Sequence, residues 1–187
     1  MLVPAAKQDE IVDLLVKAAK TYTVGDPTEE TTVVGPVVSE SAREKIVGFI
    51  ERAVTDGATV AFGGPGSVEG LRGAYVRPTI LRDVDPNSEV AQEEIFGPVL
   101  AVIPYTDEED AVEIANNSKY GLAGAVFGEQ DHAIGIAERM QTGTVQINAA
   151  EADFRLPFGG YKLSGNGARE LGTHGLEEYL EVKSIQI

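Results

Sequence analysis

Between residues 99 and 148 the chain switches repeatedly between two hydrophobic periods, and few folds accommodate such a switch. The apolar patterns of 99–104, 123–127 and 144–148 predict strands, and the spacing within 108–116 and 131–140 predicts helices between them. Strands joined through helices of about ten residues require crossover connections, which set successive strands parallel and lay the helices on the sheet. The prediction is an α/β fold of three layers, a largely parallel sheet with flanking helices. Gly121 and Gly143 stand just ahead of strands, where a helix has to stop and the chain has to turn.

The flanking sequence fits this frame. From Gln8 the residues Ile11, Leu14, Leu15 and Ala18 follow helical spacing, with Asp9 as a candidate cap. A loop stiffened at Asp26-Pro27 and Gly35-Pro36 leads to a second helix carrying Ile46, Phe49, Ile50 and Val54. Ser39 and Ser41 are both candidate caps for it, and it ends near Asp56-Gly57. A strand follows at 58–62, then another at 75–81 whose internal Pro78 predicts an edge position or a bulge. After Asn148 the rhythm stops. Residues 149–172 hold five glycines and a proline without either period, which predicts a long functional or crossing loop. The tail 175–187 reads as a helical turn and a loosely alternating strand, with Val182, Ile185 and Ile187 among Lys183, Ser184 and Gln186, a strand that needs a sheet edge to join.

Charge and composition exclude several functions. At 187 residues and 19.8 kDa the chain has the length of one domain with a real core. A net charge of −15 is the wrong sign for phosphate backbones or anionic membranes, so neither nucleic acid nor membrane is an expected partner. With no cysteine there is no disulfide, thiolate metal site or thiol nucleophile. No apolar run approaches the roughly 20 residues of a membrane span, and the charged segment at Lys7 to Glu10 interrupts any secretory pattern, so the cytoplasm is the expected compartment.

Candidate chemistry concentrates in QEEIFGPVLAVIPY, residues 92–105. Glu93 and Glu94 are adjacent and point to opposite faces of an extended segment, which rules out a glycosidase-like pair. Glu94 and Phe96, two apart, share a face: one can accept hydrogen bonds from a sugar diol while the other packs against a flat ring. On chemistry alone the favoured reading of the two residues is a surface carboxylate and a core ring that happen to lie two apart. Gly97 is expected to leave room for a ligand, and Pro98 to stiffen the exit. Elsewhere the phosphate-binding motifs fail, because Glu170 stands where a dinucleotide fingerprint needs glycine and Asn166 where a P-loop needs lysine. The glycine-rich loop then reads as a connection packed by its own backbone. His132 and His174 have no second ligand at metal spacing, and Asn148 reads as a cap on the following turn.

In order, the segments GDPTEETTVVGPVVS, YVRPTI, QEEIFGPVLAV, ANNSKYGLAGAVF, GTVQIN and PFGGYKLSGNGARELG resemble the C-terminal part of the NAD(P)-dependent aldehyde dehydrogenases over essentially the whole chain. The resemblance implies that Glu94 contacts the nicotinamide ribose and Phe96 the nicotinamide ring. It implies that residues 149–156, with Phe154, anchor the aldehyde, and that Phe158 forms an aromatic wall. It further implies a partial catalytic domain at 1–150, a substrate or crossing loop at 151–174, and an oligomerisation strand at the C-terminus of a homo-oligomer. The family's cysteine nucleophile, general-base glutamate and dinucleotide-binding domain have no match here, so no catalytic residue is assigned. The chain is expected to be an inactive part of such an enzyme with weak or no binding of NAD or NADP. One departure occurs at Gly167-Ala168-Arg169, where the family pattern runs from glycine directly to arginine. The competing expectation is a non-catalytic module that associates with itself or another protein through exposed sheet edges.

Overall fold

The computed structural model describes residues 1–187 as an α/β fold with parallel sheets and helices. The chain divides into two compact units, Met1–Ala111 and Val112–Ile187.

The first unit holds β1 (Leu2–Pro4), α1 (Gln8–Ala19), α2 (Glu40–Thr55), β2 (Thr59–Phe62), β3 (Thr79–Arg82), α3 (Glu89–Gln92), β4 (Val99–Ala101) and β5 (Ile103–Tyr105). Strand β3 lies in the middle. It pairs antiparallel with β2, through a bulge between Val60 and Phe62, and parallel with β4 in the register Thr79↔Val99, Ile80↔Leu100, Leu81↔Ala101. Strand β1 runs parallel to β5, with Val3 opposite Pro104. Val102 joins β4 to β5: its N–H donates to Leu81 O at 2.8 Å and its carbonyl accepts from Val84 N at 3.2 Å. Residues 99–105 therefore form one extended run that serves β3 with its first half and β1 with its second.

Thr79, Ile80 and Leu81 are all buried, as in a strand covered on both faces. Pro78 is thus neither internal to a strand nor at an edge. It precedes the first paired residue, where its missing N–H costs no ladder bond, and the bulge belongs to the neighbouring strand. Val3, Val12, Ile80 and Val102 form a core cluster, against which Ile11, Leu15, Val16 and Ala19 of α1 pack. The buried stripe of α1 is rotated from the predicted one, and Leu14 faces solvent. Asp9 does not cap α1, because a 3₁₀ turn at Ala5–Lys7 leads into the helix; its carboxylate pairs with Arg82 at 2.7 Å instead. On α2 the cap is Ser39, whose Oγ accepts from Ala42 N at 3.1 Å, and Ile46, Phe49, Ile50 and Ala53 form the buried face.

The division falls inside α4 (Glu108–Asn116). The second unit continues with β6 (Tyr120–Gly121), β7 (Ala123–Val126), α5 (Gln130–Ala137), β8 (Thr144–Ile147), β9 (Tyr161–Lys162) and α6 (Gly172–Glu177). Strands β7 and β8 are parallel across α5, the crossover unit that the alternation predicts. Strand β9 returns antiparallel to β6. Glu129 caps α5, its carboxylate accepting from His132 N at 3.0 Å. These main-chain donors hold Glu129 below the usual carboxylate range. The expected C-terminal strand does not form within the chain: residues 181–187 make no ladder pairing and lie exposed.

Candidate functional site

Glu94 and Phe96 sit on the short link between α3 and β4, in the first unit. The link is not a strand. Phe96 has φ +54°, in the left-handed region that a non-glycine residue occupies at a cost of roughly 1–3 kcal/mol, and such outliers concentrate at functional sites. A same-face argument built on extended spacing therefore does not apply to this pair. What the structure provides instead is availability. The Phe96 ring is 80% exposed, and the Glu94 carboxylate makes no hydrogen bond or ion pair within the chain.

The backbone beneath them is fixed. A methyl group built on Gly97 would lie 2.7 Å from Ile46 Cδ1, and Ile46 is fully buried in α2. The requirement for glycine at 97 is thus close packing against a core side chain, a correction to the expectation that it leaves space for a ligand. Next along the chain, Pro98 O accepts from Thr79 N at 2.8 Å, locking the exit of the link to β3. A rigid support carries an exposed ring and an unpaired carboxylate, an arrangement suited to receiving a flat ring and a diol from outside the chain.

Phe154 and Phe158 belong to the second unit, within the 149–172 loop. The loop starts with two consecutive left-handed residues, Asn148 at φ +51° and Ala149 at φ +58°. The Asn148 side chain is not a simple turn cap. Its Oδ1 accepts from Gly128 N and its Nδ2 donates to Gly128 O, both at 2.9 Å, which clamps the end of β8 to the residue beyond β7. Further on, Arg155 folds back onto Asp153, with Nε and Nη2 donating to the carboxylate at 2.9 and 2.7 Å, and this pairing holds Asp153 below the usual carboxylate range. The small knot leaves Phe154 76% exposed. Phe158 is fixed by two main-chain hydrogen bonds with Glu170, each 2.7 Å, and its ring remains 41% exposed.

The glycine-rich part of the loop is packed by its own backbone, as the failed phosphate motifs imply. A methyl group on Gly143 would lie 1.6 Å from Gly159 O, so glycine is required there by main-chain contact and not by a turn conformation. Lys162, at φ +51°, sends its ammonium to Asn116 O and Ser118 O at 2.7 and 3.0 Å, and Asn116 in turn binds Gln141 N and Arg139 O through its amide. Reading the sequence missed Lys162 and Asn116, because partners 46 and 25 residues away leave no local signal. No group of three or more histidine and carboxylate side chains is placed to hold a metal ion, and His174 lies only beside Glu177 on exposed α6.

Comparison with known proteins gives one answer throughout. The aldehyde dehydrogenase family profile matches residues 1–185. A putative aldehyde dehydrogenase of Staphylococcus saprophyticus is 46% identical over 98% of this chain and 39% of its own length. The geranial dehydrogenase of Castellaniella defragrans is 46% identical over 100% of this chain and 39% of its own. Among solved structures, a mutant aldehyde dehydrogenase C of Pseudomonas syringae, in complex with NAD+ and octanal, superimposes with a TM-score of 0.93 at 43% identity, covering 99% of this chain and 38% of that one. The Mycobacterium tuberculosis aldehyde dehydrogenase in complex with NAD+ gives 0.89 at 44% identity, covering 95% and 37%. The chain spans about 39% of the length of the curated relatives it matches.

Proposed function

This chain belongs to the aldehyde dehydrogenase family, and from that premise we propose that it contributes part of the cofactor and substrate cleft of an enzyme that oxidises aldehydes to carboxylic acids with NAD or NADP. Glu94 accepts hydrogen bonds from the nicotinamide ribose and Phe96 packs against the nicotinamide ring. Residues 151–174 form the substrate loop, with Phe154 and Phe158 as apolar contacts for the aldehyde. The observation that carries the reading is the pairing of an exposed, strained Phe96 and an unpartnered Glu94 on a link whose backbone is fixed against Ile46.

A bound nicotinamide supplies a hydride acceptor. The residues of this chain orient it and exclude water beside it; none of them is a thiol able to attack a carbonyl. On its own the 187-residue chain is therefore expected to bind NAD weakly and to turn over no aldehyde. The tail from 180 onward serves as an oligomerisation strand, supported by exposed apolar Val182, Ile185 and Ile187 and by main-chain groups without a ladder partner in this chain. No helix is long and apolar enough to cross a membrane; the cytoplasm is the compartment we assign.

Calorimetric titration of NAD+ tests the assignment. Both the 187-residue chain and a longer polypeptide that adds the family's nucleotide-binding region are titrated, each with and without Phe96→Ala and Glu94→Gln. Weak binding by the short chain is expected, together with tighter binding by the long one that both substitutions reduce. Micromolar affinity in the short chain, or indifference of the long one to both substitutions, would overturn the proposal.

A further inference from the structure

We propose that Asn166 is a site of spontaneous deamidation and isoaspartate formation, singled out from the chain's other asparagines by its place in the glycine-rich loop. The inference is independent of the proposed enzymatic role. In this reaction the main-chain nitrogen of the following residue attacks the asparagine Cγ. A carbon–nitrogen bond forms and ammonia leaves, taking up the proton that the attacking amide loses. Water then opens the cyclic imide at one of its two carbonyls, giving aspartate or isoaspartate. The chemistry needs a following residue without bulk, a main-chain N–H not already held in a hydrogen bond, a side-chain NH2 free to depart, and solvent.

Asn166 meets each requirement. Gly167 follows it, with no Cβ, φ +96° and open space around its Cα. The Gly167 N–H donates no hydrogen bond, and both residues are exposed. Ala168 N donates to Asn166 Oδ1 at 3.0 Å, so a donor already points at the oxygen on which negative charge develops during attack. The Asn166 Nδ2 has no partner to hold it.

The other four asparagines fail. Asn87 precedes Ser88, whose N–H is bound to Asp85 O at 3.0 Å. Asn116 precedes Asn117, whose N–H is bound to Glu113 O at 2.9 Å, and the Asn116 amide is itself tied to Arg139 O. Asn117 is followed by Ser118, which carries the Cβ that glycine lacks. Asn148 has its amide clamped at both ends by Gly128.

The product matters locally because the turn just before Asn166 is closely packed. Isoaspartate inserts an extra carbon into the main chain directly after Gly165, where a methyl group would lie 2.0 Å from Gly160 O. It also adds a negative charge three residues before Arg169, whose guanidinium stacks 5.5 Å over the Tyr161 ring.

To test this, the folded 187-residue chain is held in mildly alkaline buffer and sampled over time. Peptide mapping locates the conversion of amide to acid, and methylation by an isoaspartyl carboxyl methyltransferase measures isoaspartate. We expect isoaspartate to accumulate in the peptide bearing Asn166 several-fold faster than in any other asparagine peptide, at a rate that rises with pH. Asn166→Gln should abolish the signal with the circular dichroism unchanged. An unmodified Asn166 peptide in the folded chain, conversion only after unfolding in urea, or comparable conversion at Asn87, Asn116, Asn117 or Asn148 would each overturn the proposal.

Discussion

Each of the two units is stabilised internally by different means. In Met1–Ala111 the fully buried apolar side chains include Val3, Ile46, Ile50, Leu81, Val84 and Val102, around a strand covered on both faces. In Val112–Ile187 only Val112 and Ala133 are buried apolar residues, while Phe127, Phe154, Leu163, Tyr179 and Val182 stand in solvent. What holds the second unit is main chain: close glycine approaches at Gly121, Gly143, Gly160 and Gly165, and side chains such as Asn116, Asn148 and Lys162 that bind distant backbone. Burial of apolar surface is non-directional and tolerates small adjustments, whereas backbone contact is geometric and tolerates none. A unit built the second way can present many apolar side chains outward and still keep a defined loop.

The sharpest way to break this contrast is a pair of leucine truncations. Leu81→Ala removes a fully buried side chain and is expected to cost about 2–5 kcal/mol in urea unfolding, whereas Leu163→Ala should stay within about 0.5 kcal/mol. Equal losses would show that burial does not separate the units. Next in size is Gly143→Ala, which drives a methyl group into Gly159 O and should destabilise the second unit by about 3 kcal/mol. Amide exchange would show lost protection in β7 and β8 with β3 unaffected. Asn148→Ala removes both bonds to Gly128 and should cost about 1 kcal/mol, with faster exchange at Gly128 as its local mark.

Smallest is the effect of pH on α5. Glu129 titrates below its ordinary value in the folded chain, so its capping contribution is fully present above the unfolded pKa and disappears as pH falls through the folded one. Acidification should fray α5, and Glu129→Gln should flatten that dependence as followed by NMR.

Much of the architecture was legible in the sequence. The alternation from 99 to 148 led to β7, α5 and β8 within a few residues, because crossover units impose two distinct hydrophobic periods on neighbouring segments. The helix stop at Asp56-Gly57 was readable from local chemistry, and the family resemblance was carried by short strings spread over the whole chain. Elsewhere local signals misled. Pro78 argued for an edge and precedes the most central strand, because a proline one residue outside a ladder costs nothing. Gly97 suggested room for a ligand and instead abuts Ile46, since a glycine in sequence does not reveal whether its missing side chain is replaced by a ligand or by a core residue.

The candidate site shows the same division. Residue type and spacing singled out Glu94 and Phe96, and the family resemblance added Phe154 and Phe158. The left-handed backbone of Phe96, the unpaired state of Glu94, the double clamp of Asn148 on Gly128 and the reach of Lys162 to Asn116 follow only from the fold. By itself the sequence determined the periods, the turns and the family, because these are set by neighbours a few positions apart. Only the tertiary structure decided which glycines are packed and which side chains remain available, because those depend on groups that folding brings together from far along the chain.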